Sequence, residues 1–141
     1  MQIQAEPLYD ALKDVCVDAW NDLKAVHYGI PRIEQKQYPH AVIRLGSIPA
    51  ELIFNTVSQM YQFDVIYRGV WSTAPTFNIE LEKIARANEF ISSLTQNTLL
   101  GDIGLEPTVT NVDFIEADDP NEPFYELVLT VATLVHTTWG E

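Results

Sequence analysis

Residues Phe124–Thr138, FYELVLTVATLVHTT, decide the fold class. Tyr125, Leu127, Leu129, Val131 and Val135 fall on one face of this stretch, and Glu126, Val128, Thr130, Ala132 and Leu134 on the other. A side-chain period of two is that of an extended strand. Both faces are substantially apolar, so the strand expects packing on each side. Upstream, TVTNVDFIEA (Thr108–Ala117) also alternates, and the acidic turn DDPNEP separates the two arms. Together they read as one long C-terminal β-hairpin. Its second arm is well beyond the usual strand of about five or six residues, and an over-long ribbon in a small chain is material for pairing with other chains.

Moving toward the N-terminus, TVSQMYQFDVIYRGVW (Thr56–Trp71) alternates in the same way, with Tyr61, Phe63, Val65 and Tyr67 opposed to Gln62, Asp64, Ile66 and Arg68. That is a half-buried antiparallel signature. AVIRLG (Ala41–Gly46) predicts a short strand, and the apolar segment after Pro49 a strand start or sheet edge. Two stretches repeat at three and four residues instead. Leu8, Leu12, Val15, Ala19, Leu23 and Val26 predict a helix over Leu8–Val26, opened by Pro7 and stopped by Gly29 and Pro31. TFNIELEKIARANEFISSLTQ predicts a second helix with Phe77, Leu81, Ile84, Ile91 and Leu94 near one face and Thr76 or Asn78 as its cap. Glu80 and Glu82 suit the positive helix start. The reading is α+β, one domain over residues 1–141: a mostly antiparallel sheet with a long C-terminal β-hairpin and two helices packed against it.

The chain of 141 residues carries 20 acidic and 8 basic side chains, a net charge of −12. The cations Lys13, Lys24, Arg32, Lys36, Arg44, Arg68, Lys83 and Arg86 are scattered, which disfavours phosphate-backbone binding. Such acidity serves solubility, or a surface past which a polyanion slides. Cys16 is the single cysteine, so no disulfide within the chain and no multi-cysteine metal site is expected. The start MQIQAEPLYD lacks the pattern of a signal peptide, and no apolar run approaches a membrane span, which points to a reducing interior.

Catalytic chemistry is nearly silent. His27, His40 and His136 have no ligand spacing, which argues against zinc. DDPNE (Asp118–Glu122) gathers oxygen ligands but lacks calcium-loop spacing and reads as a turn. GDIG (Gly101–Gly104) lacks the Lys-Ser/Thr of a phosphate loop and reads as a bend. No Gly-x-Ser-x-Gly elbow occurs. Tyr9, Tyr28, Trp71 and Trp139 suit core or interface. No cofactor, metal or catalytic residue is expected, and the chain reads as no enzyme.

The order of elements resembles the tail terminator (tail-completion, minor tail) proteins of long-tailed bacteriophages. What carries the resemblance is the N-terminal helix from Leu8, the YPHAVI segment leading into the first strand, QFDVIYRG before LEKIARANEFISSL, and the polar turn between the last two strands. No diagnostic motif accompanies the pattern. The resemblance implies a structural virion protein, made in the host cytoplasm and placed at the tail or neck. It implies a homo-hexameric ring that caps the head-proximal end of the tail tube, stops polymerisation and presents a surface to a head-completion or connector protein. DNA would pass through the lumen without specific binding. No functional residue carries over from the family, and the acidic turn residues Asp118, Asp119 and Glu122 are expected at an interface or lumen rim on their charge. A head–tail connector of the same virion fits the pattern too. A small α+β enzyme or ligand-binding domain would instead require a deep pocket with convergent carboxylates.

Overall fold

The computed structural model describes residues 3–29, 31, 37–48, 50–53, 56–70, 72, 74–115 and 124–138. Their element order is α1 (Glu6–Ala19), β1 (Ala25–Tyr28), β2 (His40–Ser47), β3 (Ala50–Ile53), β4 (Thr56–Val70), α2 (Ile79–Thr95), β5 (Leu99–Leu100), β6 (Gly104–Phe114) and β7 (Phe124–Thr138). The strands form one sheet in the order β1-β2-β4-β7-β6-β5, with β3 also on β4. All pairings are antiparallel except β1 with β2. This is the α+β, mostly antiparallel arrangement that the alternation predicts.

The C-terminal hairpin forms, with β7 spanning the residues expected of it. Its first arm, β6, begins at Gly104, four positions before Thr108. It ends at Phe114, and Glu116 and Ala117 lie outside the described residues. The early start comes from the bend before it. Gly101 and Asp102 both adopt positive φ, 61° and 64°, and turn β5 back onto β6. A Cβ on Gly101 would lie 2.5 Å from the Pro7 carbonyl oxygen, so this bend also seats the start of α1.

The first helix is shorter than its periodicity predicts. It ends at Ala19; the chain turns at Asn21 and Asp22, and Ala25–Tyr28 becomes a strand parallel to β2. Trp20 is the reason. Its indole is fully buried, stacked on Phe90 at 5.2 Å and tilted on Tyr67 at 4.8 Å. Beyond it, Val26, His27 and Tyr28 are β-branched or aromatic, and a short apolar run fits either period.

The buried stripe of α2 is rotated from the expected one. Asn78 caps the helix as predicted, its side chain accepting from the backbone N–H of Glu80 and Leu81. The buried positions are Lys83, Ala87, Phe90, Ser93 and Leu94, whereas Leu81 is 65% and Ile84 45% exposed. Lys83 takes the inward position by laying its aliphatic stem in the core and donating from Nζ to the Ile115 carbonyl oxygen at 2.6 Å.

Both helices lie on one face of the sheet. Leu8, Leu12, Val15 and Trp20 of the α1 side and Ala87, Phe90 and Leu94 of α2 meet Tyr61, Phe63, Val65 and Tyr67 of β4 and Leu127, Leu129 and Val131 of β7. The expected cover on the second face of β7 is absent among the described residues: no helix lies there. The sheet instead curls into a half-barrel, so Val42 (0%), Ile66 (4%) and Ala132 (8%) are buried on the helix-free side. Burial by curvature replaces burial by a second layer.

Candidate functional site

The helix-free face gathers residues that are far apart in the chain. Parallel pairing of β1 with β2 puts Ala25 beside His40 and His27 beside Val42, which brings the two imidazoles to 5.3 Å, edge to face. Tyr38 stacks on His40 at 4.7 Å and on Phe124 at 4.9 Å. The Arg68 guanidinium lies 5.9 Å from the Phe124 ring centre and 3.6 Å from Glu126. The Nε2 of His27 and the Nε of Arg68 are buried without a hydrogen-bond partner among the described residues. Periodicity does not foresee the histidine pair, because Leu23 and Val26 continue the helical spacing into β1. The third histidine, His136, is exposed on β7, as a surface or interface residue should be.

No group of three or more His, Cys, Asp or Glu is placed to hold a metal ion among the described residues. Asp118, Asp119 and Glu122 lie outside the described residues, as do Trp71 and Trp139. Of the other aromatic candidates, Tyr9 is framework: its hydroxyl accepts from the Leu45 N–H and its ring meets Phe63 edge to face. Tyr28 is exposed on β1 and donates to Asp10 at 2.6 Å. Cys16 is fully buried, and burial pushes its thiol pKa far up.

A polar network joins the helices to the sheet. Arg86 pairs with Glu82 at 3.0 Å, Asp22 at 3.3 Å and Glu89 at 3.4 Å. Burial works against the guanidinium charge, but Tyr67 and these carboxylates hold its pKa above the ordinary value. The Tyr125 hydroxyl donates to Glu82. Burial pushes Tyr67 up to about 12 and raises Tyr125 as well. These groups knit the fold together. An open cleft between α1, α2 and the β5–β6 turn is lined by Asp14, Asp18 and Asp102, but Asp18 already accepts from Ser93 at 2.8 Å.

The most distinctive geometry is backbone. β4 and β7 pair along their whole length, from Thr56 with Thr138 to Val70 with Phe124. On β4, β2 reaches only Gln62; on β7, β6 reaches only Leu134. Among the described residues, the pairs from Thr56–Thr138 to Gln59–Val135 therefore run past both neighbours and are flanked by β3 alone. At the root of this three-stranded arm, Met60, Leu134 and Leu105 are successive cross-strand partners on the helix-free face, with Met60 and Leu105 exposed. On the helix face, the Gln59 amide is fully buried with neither its oxygen nor its nitrogen bonded among the described residues.

No family model and no curated protein matches this sequence. Among solved structures, the chain is similar to the sheath/tube terminator of an extracellular contractile injection system, PVC, in the extended state. The identity is 14% and the TM-score 0.47; the match covers 98% of this chain and 58% of that one. The chain thus spans little more than half the length of that protein.

Proposed function

We propose that this protein is a tail terminator: a structural virion protein without turnover that closes the head-proximal end of a tail tube as a ring. The ring is hexameric in the virion. It stops tube polymerisation and offers its opposite side to a head-completion protein.

The observation that carries the reading is the arm. A sheet that needed only to fold would end β4 and β7 where β2, β6 and the helices end. Here the two strands continue together, with no strand among the described residues along the outer side of β7 beyond Leu134 and an apolar cross-strand row, Met60–Leu134–Leu105, at the junction. Unpaired edges and exposed apolar rows are features that proteins of this size suppress unless a partner covers them. In this reading the arm and the row engage the last ring of tube subunits. DNA passes through the lumen, and the net charge of −12 keeps the duplex from adhering.

The test is end-labelling. Tagged protein mixed with purified tail tubes and gold-labelled at the tag is expected at one tube end, the one that joins heads. Label on the portal side of isolated heads, with bare tubes, would make the protein a connector instead. Label along the tube wall would remove the ring-cap reading altogether.

A further inference from the structure

The two long sides of the sheet end in surfaces of opposite character. At one side β1 is an edge strand, paired among the described residues with β2 alone. Beside it an open depression of about 360 Å³ is lined by Val17, Leu23 and Val26 together with Lys13 and Lys24. Val17 is half exposed, and both lysines are exposed. Lys13 and Lys24 make no ion pair among the described residues, whereas Arg44, Arg68 and Arg86 are each committed to carboxylates. Asp14 and Asp18 of the same helix line the cleft toward α2. Asp10 is bonded to Tyr28, at the far end of β1.

At the other side, among the described residues, β6 is unpaired on its outer edge beyond Leu105. There a second depression, of about 350 Å³, is lined by Ile84, Phe114 and Ile115 with Glu80, and Leu81 stands exposed one position along α2. Among the described residues, the exposed charges along this side, Glu80, Glu106 and Asp113, are all acidic. Lys83, the cation within the depression, is turned into the core.

We infer that the occupant of each surface is a second copy of this chain: the Lys13/Lys24–Val17–Leu23 surface of one subunit seats on the Leu81–Ile84–Phe114–Glu80 surface of the next. Charge and apolarity match across the pair, and neither surface matches itself. Two lysine-bearing faces repel, as do two acidic ones. A contact between two different patches on opposite sides of one sheet is heterologous; repeated by rotation it closes into a ring. It also places the open edge of β1 near that of β6, so that each hides the other. The inference rests on the ring reading above and adds to it which surfaces form the ring.

Cysteine cross-linking tests it, because buried Cys16 stays silent. Val17→Cys protein mixed with Ile84→Cys protein is expected to give a disulfide-linked pair under mild oxidation, both in concentrated solution and on tail tubes. Neither variant alone should cross-link. The double variant Val17→Cys/Ile84→Cys should give a ladder ending at the closed ring. On that background, Lys13→Glu/Lys24→Glu should reduce the cross-link at least tenfold, and adding Glu80→Lys should restore part of it. Absence of the mixed cross-link on tubes that the protein still caps would overturn the pairing and leave the terminator reading intact. The cross-linked ladder from protein that caps no tube would keep the pairing and end the terminator reading. Cross-linking of Val17→Cys to itself would overturn the heterologous geometry.

Discussion

The Trp20 indole N–H donates to the backbone carbonyl oxygen of Arg86 at 2.9 Å, across 66 positions of sequence. That bond ties the end of α1 to the middle of α2, and the ring itself fills the space between Tyr67 and Phe90. Trp20→Ala should therefore destabilise the protein by about 3–5 kcal/mol, as large aromatic truncations in cores do. Trp20→Phe should cost less, since it keeps a ring and loses the bond. Urea denaturation checks both. Equal losses would mean that the hydrogen bond, and not the packing, dominates.

The rotated face of α2 predicts a contrast between two leucines. Leu12 is fully buried on α1, and Leu12→Ala should cost about 2–5 kcal/mol. Leu81→Ala should change stability by no more than about 0.5 kcal/mol, because an exposed side chain away from special features contributes little. A loss at Leu81 equal to that at Leu12 would restore the stripe expected from periodicity alone.

How far the fold was legible follows from where period and burial agree. β4 and β7 are readable because their alternation is long and their inward sets, Tyr61 to Tyr67 and Tyr125 to Val135, are large and apolar except at Thr133. α2 was readable as a helix but not in its orientation. Lys83 buries a stem that a hydrophobicity pattern scores as surface, and Ala87 is too small to register strongly. β1 was lost because Leu23 and Val26 happen to continue the helical spacing past Trp20. With β1 lost, its pairing with β2 was invisible, and so were the His27–His40 contact and the lysine-flanked edge. The arm was foreshadowed by strand length alone; its open flank is a property of where other strands stop. The acidic residues Asp118, Asp119 and Glu122, read as an interface or lumen rim, fall outside the described residues.

Gln59 offers a test at the root of the arm. Its amide is buried and unbonded among the described residues, a state that costs about 1–3 kcal/mol. Gln59→Leu keeps the approximate volume and removes the unpaired groups, so the isolated protein should gain about 1 kcal/mol. Thermal or urea unfolding would record it. A loss of similar size would mean that the amide is satisfied in solution.

Stability should fall on the alkaline side through the buried phenols. Tyr67, pushed up to about 12 by burial, is neutral in the fold where a free tyrosine ionises near about 10. A raised folded-state pKa stabilises fully below the unfolded value and is lost as pH rises through the folded one. The contribution of Tyr67 is therefore constant from pH 7 to 9 and declines between about 10 and 12, and Tyr125 acts in the same direction. Phenolate absorbance during a native-state titration should show a delayed component that Tyr67→Phe removes. Unchanged titration in the variant would contradict the assignment.

The central claim is that this protein ends tail tubes, and the length distribution of tails measures that most directly. Tails assembled with and without the protein, imaged by electron microscopy, should differ in one respect above all. With it, tails are uniform, capped at one end and able to join heads; without it, tubes run on past that length and stay headless. Uniform, capped tails that join heads in its absence would contradict the account.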